Sequence, residues 1–335
     1  AGLGQAPARQ ASIGAGIPVS VGATTINKMC GSGMKAIMFG YDSIKSGQSN
    51  LIIAGGIESM SNAPYILPKV RNGLRMGHNE VKDHMFLDGL EDAYEEGKLM
   101  GSFAEDTAEH YQFSREDQDN FSIESLQKAK MANEQGLFKN EIVPISIKTK
   151  KNTKVIDKDE QPFKADIDKI TQLRPAFRKN GTVTAANSSS ISDGASTVIL
   201  MKESEAEKRK IKPLARIVSH ATNSNKPNWF TTAPIGAITK VLEKSNWTSA
   251  DVDLFEVNEA FAVVPMAVMK ELSIPREILN INGGACALGH PVGASGARII
   301  ATLINALRMK NLKKGVASLC IGGGEATALT LEIVS

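Results

Sequence analysis

The chain has 335 residues, which at roughly 150 residues per domain suggests about two domains and leaves ample length for a large buried core. Its 39 basic and 36 acidic residues give a net charge of +3, too balanced for a nucleic-acid footprint, and no basic stripe carries interleaved aromatics. A hydrophobic content of 42% excludes a disordered chain, and the longest apolar run, Ala260 to Met269, contains Pro265 and falls far short of the ~20 residues of a membrane span.

In chain order, Gln5 to Ala15 reads as a helix ending near Gly16, and Val21 to Asn27 as a short strand. Met34, Ile37, Met38, Tyr41 and Ile44 recur with helical spacing and predict an amphipathic helix stopped by Gly47. Leu51 to Ala54 is a compact apolar strand ending in Gly55 and Gly56. Strands alternating with helices predict an α/β fold with a mostly parallel sheet.

Between residues 63 and 181 the pattern loosens into an inserted loop subdomain. Ser114 with Asp117 forms a capping-box pattern that starts a helix running to about Gln135. Lys148, Lys150, Lys151 and Lys154, followed at once by Asp157, Asp159 and Glu160, read as a solvated hairpin. The alternation then resumes. Leu214 to Val218, Leu254 to Val257, Ala317 to Ile321 and Thr327 to Ile333 read as strands, and Ile235 to Leu242, Glu259 to Glu271 and Ala294 to Leu307 as helices. Residues 1–62 with 182–205 thus form one half and residues 206–335 the other. A faint echo links them: each half has a glycine-rich turn opening a helix, then a strand ending in glycines and a glutamate. Open α/β sheets bind ligands at such strand ends.

Several standard motifs are absent: the phosphate-binding Gly-rich loops, H-E-x-x-H, C-x-x-C and G-x-S-x-G. The five histidines show no metal-ligand spacing with the cysteines. Three widely spaced cysteines argue against a disulfide framework and for a reducing compartment. Cys30 falls at a predicted helix N-terminus, where unpaired N–H groups favour a thiolate, and its neighbours Gly31, Ser32 and Gly33 admit a substrate. Cys320 ends an apolar strand just before Gly322-Gly323-Gly324. His290 sits in a glycine-rich loop, Gly289-His290-Pro291, and Asn258 at a strand end. A buried apolar cysteine, a structural histidine and a helix cap are the plain alternatives at Cys30, His290 and Asn258.

The runs Cys30-Gly31-Ser32-Gly33-Met34-Lys35-Ala36, Gly55-Gly56-Ile57-Glu58-Ser59-Met60-Ser61, Asn258-Glu259-Ala260-Phe261, Gly289-His290-Pro291 with Gly293-Ala294-Ser295-Gly296, and Cys320-Ile321-Gly322-Gly323-Gly324 together resemble the thiolases, in order and spacing over the whole chain. The resemblance implies two similar βαβ-type halves with five-stranded mixed sheets packed in layers. It implies a reversible Claisen condensation of two acetyl-CoA to acetoacetyl-CoA and CoA, with a broader 3-ketoacyl-CoA range in fatty-acid degradation as the alternative. A non-catalytic CoA-thioester or lipid-binding module on the same scaffold is a third reading, disfavoured by the intact catalytic set.

Residue by residue, the resemblance makes Cys30 the acylated nucleophile and His290 its base. Cys320 becomes the second acid/base, Asn258 the holder of an oxyanion-hole water, and the N–H groups of Cys30 and Gly322 a second oxyanion hole. Ser189 would contact the pantetheine arm. Ala185, Leu90, Met100, Phe177, Ala260 and Phe261 would line the pantetheine and acyl tunnel, with Lys164 a candidate at the adenine. CoA thioesters are then substrates, with no separate cofactor or metal, and the chain would form a homodimer or homotetramer. Leu99 stands where many short-chain members carry a His, and Cys286 reads as a bystander.

Family members carry a further segment before AGLGQ. The first half is therefore expected to lack its first strands, and the chain by itself to be unstable or inactive. A cytoplasmic location is expected, or the mitochondrial matrix if that segment holds a transit peptide.

Overall fold

The computed structural model describes residues 1–148 and 152–334; Lys150 and Lys151 of the expected hairpin lie outside them. The helices are α1 (Pro7–Gly14), α2 (Ser32–Lys45), α3 (Met100–Tyr111), α4 (Arg115–Glu134), α5 (Gln161–Lys164), α6 (Ile167–Ile170), α7 (Glu203–Lys208), α8 (Ala233–Ser245), α9 (Val263–Leu272), α10 (Ala285–Leu288) and α11 (Ser295–Met309). The strands are β1 (Leu51–Ser59), β2 (Tyr65–Ile66), β3 (Lys82–Asp83), β4 (Ile145–Lys148), β5 (Thr153–Ile156), β6 (Asp193–Met201), β7 (Ala215–Ser224), β8 (Leu254–Val257), β9 (Lys314–Ile321) and β10 (Glu325–Ile333).

Two sheets sandwich a helical layer. In the first half β1 pairs antiparallel with β6. In the second the order is β7-β10-β9-β8. There β10 is antiparallel to both neighbours, and β8 runs parallel to β9. The sheets are therefore mixed rather than mostly parallel, because β9 returns into β10 through the tight glycine turn instead of a helical crossover. The five strands per sheet that the resemblance implies are two and four among the described residues. A single parallel bridge, Phe255 to Leu279, stands where a fifth strand would flank β8. The left-handed Asn280 (φ 47°) bends the chain away directly after it.

Helices α2 and α11 pack between the sheets. Met34, Ile37 and Met38 of α2 meet Ile299, Leu303 and Leu307 of α11 and Leu319 and Leu329 of the larger sheet in one buried cluster. A second cluster fills the opposite face of that sheet, where α8 and α9 contribute Ile238, Val241, Val264 and Val268. The halves also repeat one another: helix, strand and antiparallel return strand occur as α2-β1-β6 and as α11-β9-β10.

Two sequence expectations need correction. Val21 to Asn27 forms no strand; it is an extended segment held to α1, where Arg9 donates to the carbonyls of Val19 and Val21 and Thr25 Oγ1 accepts from the Ala8 amide. The glycines Gly55 and Gly56 do not end β1, which runs on to Ser59. They are there because other backbone comes so close. A Cβ on Gly56 would lie 1.9 Å from the Gly293 carbonyl oxygen, and one on Gly55 2.1 Å from that of Ser196. The capping box at Ser114 and Asp117 forms as expected and starts α4, and β4 and β5 form an exposed hairpin. Gly56→Ala is predicted to destabilise the fold by about 3 kcal/mol through overpacking, read as a lower urea midpoint at unchanged m-value; an unshifted midpoint would contradict the contact.

Candidate active site

The Cys30 turn is fixed from both sides. Asn27 Oδ1 accepts from the Met29 N–H (2.8 Å), and Ser32 Oγ accepts from the Lys28 N–H (2.9 Å) while donating to the Met29 carbonyl (2.7 Å). Met29 itself is left-handed (φ 47°), a strained conformation outside glycine of the kind that recurs at functional sites. Lys28 is ion-paired with Glu325, the first residue of β10. That pair ties the Cys30 turn to the Gly322-Gly323-Gly324 turn. Gly323 and Gly324 both need positive φ (86° and 89°).

The glycine turn brings an amide to Cys30. The N–H groups of Gly322 and of Cys30 itself favour charge on the Cys30 sulfur. They lower its pKa, yet burial outweighs them and pushes the thiol up to about 11, with the Glu58 charge adding to the rise. The thiolate expected from the helix N-terminus is thus not the resting form: Cys30 rests as a thiol. Cys320, fully buried on β9, is near enough for its ionisation to feel that of Cys30, and burial drives its thiol up as well.

His290 is buried, and its backbone N–H donates to the Ser190 carbonyl (3.2 Å). Its Nδ1 lies 2.6 Å from Ser295 Oγ, which donates its own proton to the Pro291 carbonyl (3.0 Å). Ser295 therefore accepts from Nδ1–H, which assigns the proton to Nδ1 and leaves Nε2 a bare acceptor. Nε2 is buried with no hydrogen-bond partner among the described residues. Burial, with the Arg298 charge second, lowers His290 to about 4. The Asn258 side chain lies 3.5 Å from Nδ1, and its backbone N–H is anchored to the Ser318 carbonyl. With Nδ1 protonated, the amide is best satisfied with its oxygen toward the ring, which frees its NH2 for a water.

Of the expected acyl-tunnel residues, several converge. The Ser189 N–H donates to the Ala260 carbonyl (3.0 Å), and Ser188 bridges Phe261. Phe177 meets Phe261 edge-to-face at 6.0 Å and packs on Gly101, where a Cβ would fall 2.3 Å from its ring. Met100 Sδ comes within 3.4 Å of a Cβ placed on Gly322, and Met29 Sδ within 3.7 Å. Others stay apart. Ala185 is exposed, and Leu90 is half-buried in a π turn (Phe86–Leu90). Lys164, expected at the adenine, is exposed at the end of α5 and ion-paired to Glu160 (3.8 Å).

The residues taken singly missed two roles. Ser295, five residues past His290 at a helix start, fixes the imidazole tautomer; that sequence spacing is its only clue. Glu259 is fully buried and accepts from Asn280 Nδ2 (2.8 Å), Ser125 Oγ (2.7 Å) and the Cys286 N–H (3.1 Å), joining the Asn258 strand end to α4 and α10. The Cys286 thiol donates weakly to the Glu259 carbonyl (3.7 Å). Among the described residues no group of three or more His, Cys, Asp or Glu could hold a metal ion.

Two thiols, a bare imidazole nitrogen and backbone amides at one sulfur are groups suited to thiol-dependent acyl transfer. Comparison with known proteins makes the class specific. Residues 1–204 match the thiolase N-terminal domain and residues 211–333 the thiolase C-terminal domain; the chain belongs to the thiolase family and is an acyltransferase. It is 51% identical to a probable acetyl-CoA acetyltransferase of Dictyostelium discoideum over 99% of this chain and 80% of that protein. It is 48% identical to the acetyl-CoA acetyltransferase of Allochromatium vinosum over 99% and 84%. Among solved structures, that of the Bacillus anthracis acetyl-CoA acetyltransferase superposes with a TM-score of 0.95 at 43% identity, covering 98% of this chain and 84% of that one. The Acat5 thiolase of Ascaris suum, in complex with coenzyme A, gives 0.93 at 41%, covering 100% and 85%.

Glu259→Gln replaces one acceptor oxygen by a donor against three donors. It is predicted to cost about 2–3 kcal/mol and to lower activity with it; a melting curve superimposable on the parent would contradict this role.

Proposed function

We propose that the chain interconverts two acetyl-CoA with acetoacetyl-CoA and CoA through an acyl-Cys30 intermediate. The observation that carries the reading is the meeting of Cys30, Cys320 and the Gly322 amide at one turn, on a chain similar over nearly its full length to acetyl-CoA acetyltransferases. The Cys30 proton passes to His290 Nε2 as the sulfur attacks the thioester carbonyl. The N–H groups of Cys30 and Gly322 hold the developing oxyanion, and CoA leaves with the proton of Cys320, which stays behind as a thiolate while His290 keeps the Cys30 proton. The Cys320 thiolate then takes a methyl proton from a second acetyl-CoA. The enolate oxygen of that acetyl-CoA is held by the Asn258-bound water and protonated His290, and its carbon attacks acyl-Cys30, releasing the Cys30 sulfur, which takes its proton back from His290. A neutral resting site suits this sequence, because each charge appears only with the substrate in place.

The two thioethers beside Gly322, Met29 and Met100, crowd the acyl end and favour a short chain over a broad 3-ketoacyl range. Ser189, Ala260, Phe261 and Phe177 form the wall along which the pantetheine arm would lie; Leu90, Ala185 and Lys164 would serve only its outer reach. No separate cofactor is invoked, since the thioester itself is the activated group. A homodimer or homotetramer and a cytoplasmic location complete the proposal. No helix among the described residues is long and apolar enough to cross a membrane.

Thiolysis of acetoacetyl-CoA tests the reading. Cys30→Ala and Cys320→Ala should each lose at least about a thousandfold in kcat, with melting temperatures kept; undiminished turnover in either would overturn it. Turnover on acetoacetyl-CoA should exceed that on longer 3-ketoacyl-CoA thioesters. Because His290 stays neutral down to about 4, the acid limb of kcat/KM should fall well below the ordinary histidine value of 6.5; a limb near that value would contradict the buried-base assignment.

A further inference from the structure

Arg298 lies on α11 three residues after Ser295, so both face the same side of the helix. Its Nη1 and Nη2 are buried without a hydrogen-bond partner among the described residues. The nearest carboxylate oxygen, Glu256 Oε2, is 3.9 Å from Nη1, an ion pair without a hydrogen bond. Glu256 is 2% exposed on β8, two residues before Asn258, and so shares its strand face. Strand β8 and helix α11 are thus linked twice, by Asn258–His290–Ser295 and, behind it, by Glu256–Arg298.

Burying two guanidinium nitrogens without hydrogen bonds is a costly way to join two elements. What Arg298 supplies is a positive charge one helical turn from the Ser295 that holds the imidazole. We propose that Arg298 is a positioning residue for acyl transfer, held by Glu256 behind the Asn258–His290–Ser295 cluster so that its charge keeps His290 an unprotonated base toward Cys30. The groups around it sharpen the effect. Carboxylates on three elements feel the Arg298 charge: Glu256 on β8, Glu141 in the loop after α4, where Thr302 donates to it (2.8 Å), and Asp159 in the segment before α5. Glu256 in turn feels Glu259 and Arg276. Burial raises Glu256 to about 8, Glu141 to about 6 and Asp159 above its usual value. As pH falls Glu256 and Glu141 neutralise first, and less of the Arg298 charge is opposed where the imidazole would begin to take a proton.

The inference rests on His290 serving Cys30 as base, and the test therefore avoids the thioester: the rate at which iodoacetamide alkylates Cys30 is followed against pH, with the site verified by peptide mass. Arg298→Met should move the acid limb up by about one pH unit, a roughly tenfold loss of rate on that limb, because an imidazole without a neighbouring cation binds its proton sooner. Arg298→Lys, which keeps the charge, should restore the limb. A rate lowered by one factor at every pH, with the limb in place, would reduce Arg298 to a structural role and overturn the proposal. Should Arg298→Met fail to fold, Arg298→Lys decides alone: its limb must coincide with that of the parent, and a displaced limb overturns the proposal. A parent protein with no acid limb would overturn the base assignment itself, and this inference with it.

Discussion

The two halves of this chain meet where glycine lets backbone touch backbone, and the proposed active site depends on that approach. A Cβ on Gly33 at the start of α2 would lie 2.8 Å from the Ala297 amide nitrogen, and one on Gly296 at the start of α11 2.5 Å from that of Met34. Any larger residue would force the two helix starts apart. The Cys30 turn precedes one helix and the His290 loop the other, so this single contact draws together the two segments that carry the proposed nucleophile and the proposed base. Gly31, where a Cβ would fall 2.4 Å from Ile321 Cδ1, seats the Cys30 turn against the end of β9 and hence beside Cys320 and Gly322.

The candidate site is largely buried and neutral at rest. Burial raises both cysteine thiols and lowers the imidazole, so no member carries charge at rest. The two amides at the Cys30 sulfur are fixed dipoles that need no reorganisation when charge develops, which is where such donors gain their strength. The same burial explains the polar supports around the cluster. Asn280 and Ser125 satisfy Glu259, and Ser295 satisfies His290 Nδ1, while Asn258 Oδ1 and His290 Nε2 stay without a partner among the described residues.

Local pattern carried the elements; tertiary approach decided the rest. The apolar spacing of Met34 to Ile44, the Ser114–Asp117 cap and the strand end at Asn258 were all legible, because each depends on residues near in sequence. Val21 to Asn27 has strand composition but no partner strand, and Arg9 ties it to α1 instead. The glycines of β1 looked like a strand end, since the opposing Gly293 and Ser196 carbonyls lie far along the chain. The Cys30 thiolate was inferred from a helix start, but the cost of burial depends on everything packed around it. Glu259 was visible only as part of a motif, and Arg298 as one arginine among many. Their roles come from neighbours on other elements.

The central claim is that one sulfur, beneath the glycine turn, accepts the acyl group. Brief incubation with acetyl-CoA, acid quench and peptide mass spectrometry tests it directly. The account predicts a single acetyl group on the peptide containing Cys30 and none on those containing Cys286 or Cys320. Acetylation of either of those cysteines with Cys30 unmodified, or of no cysteine at all, would contradict it.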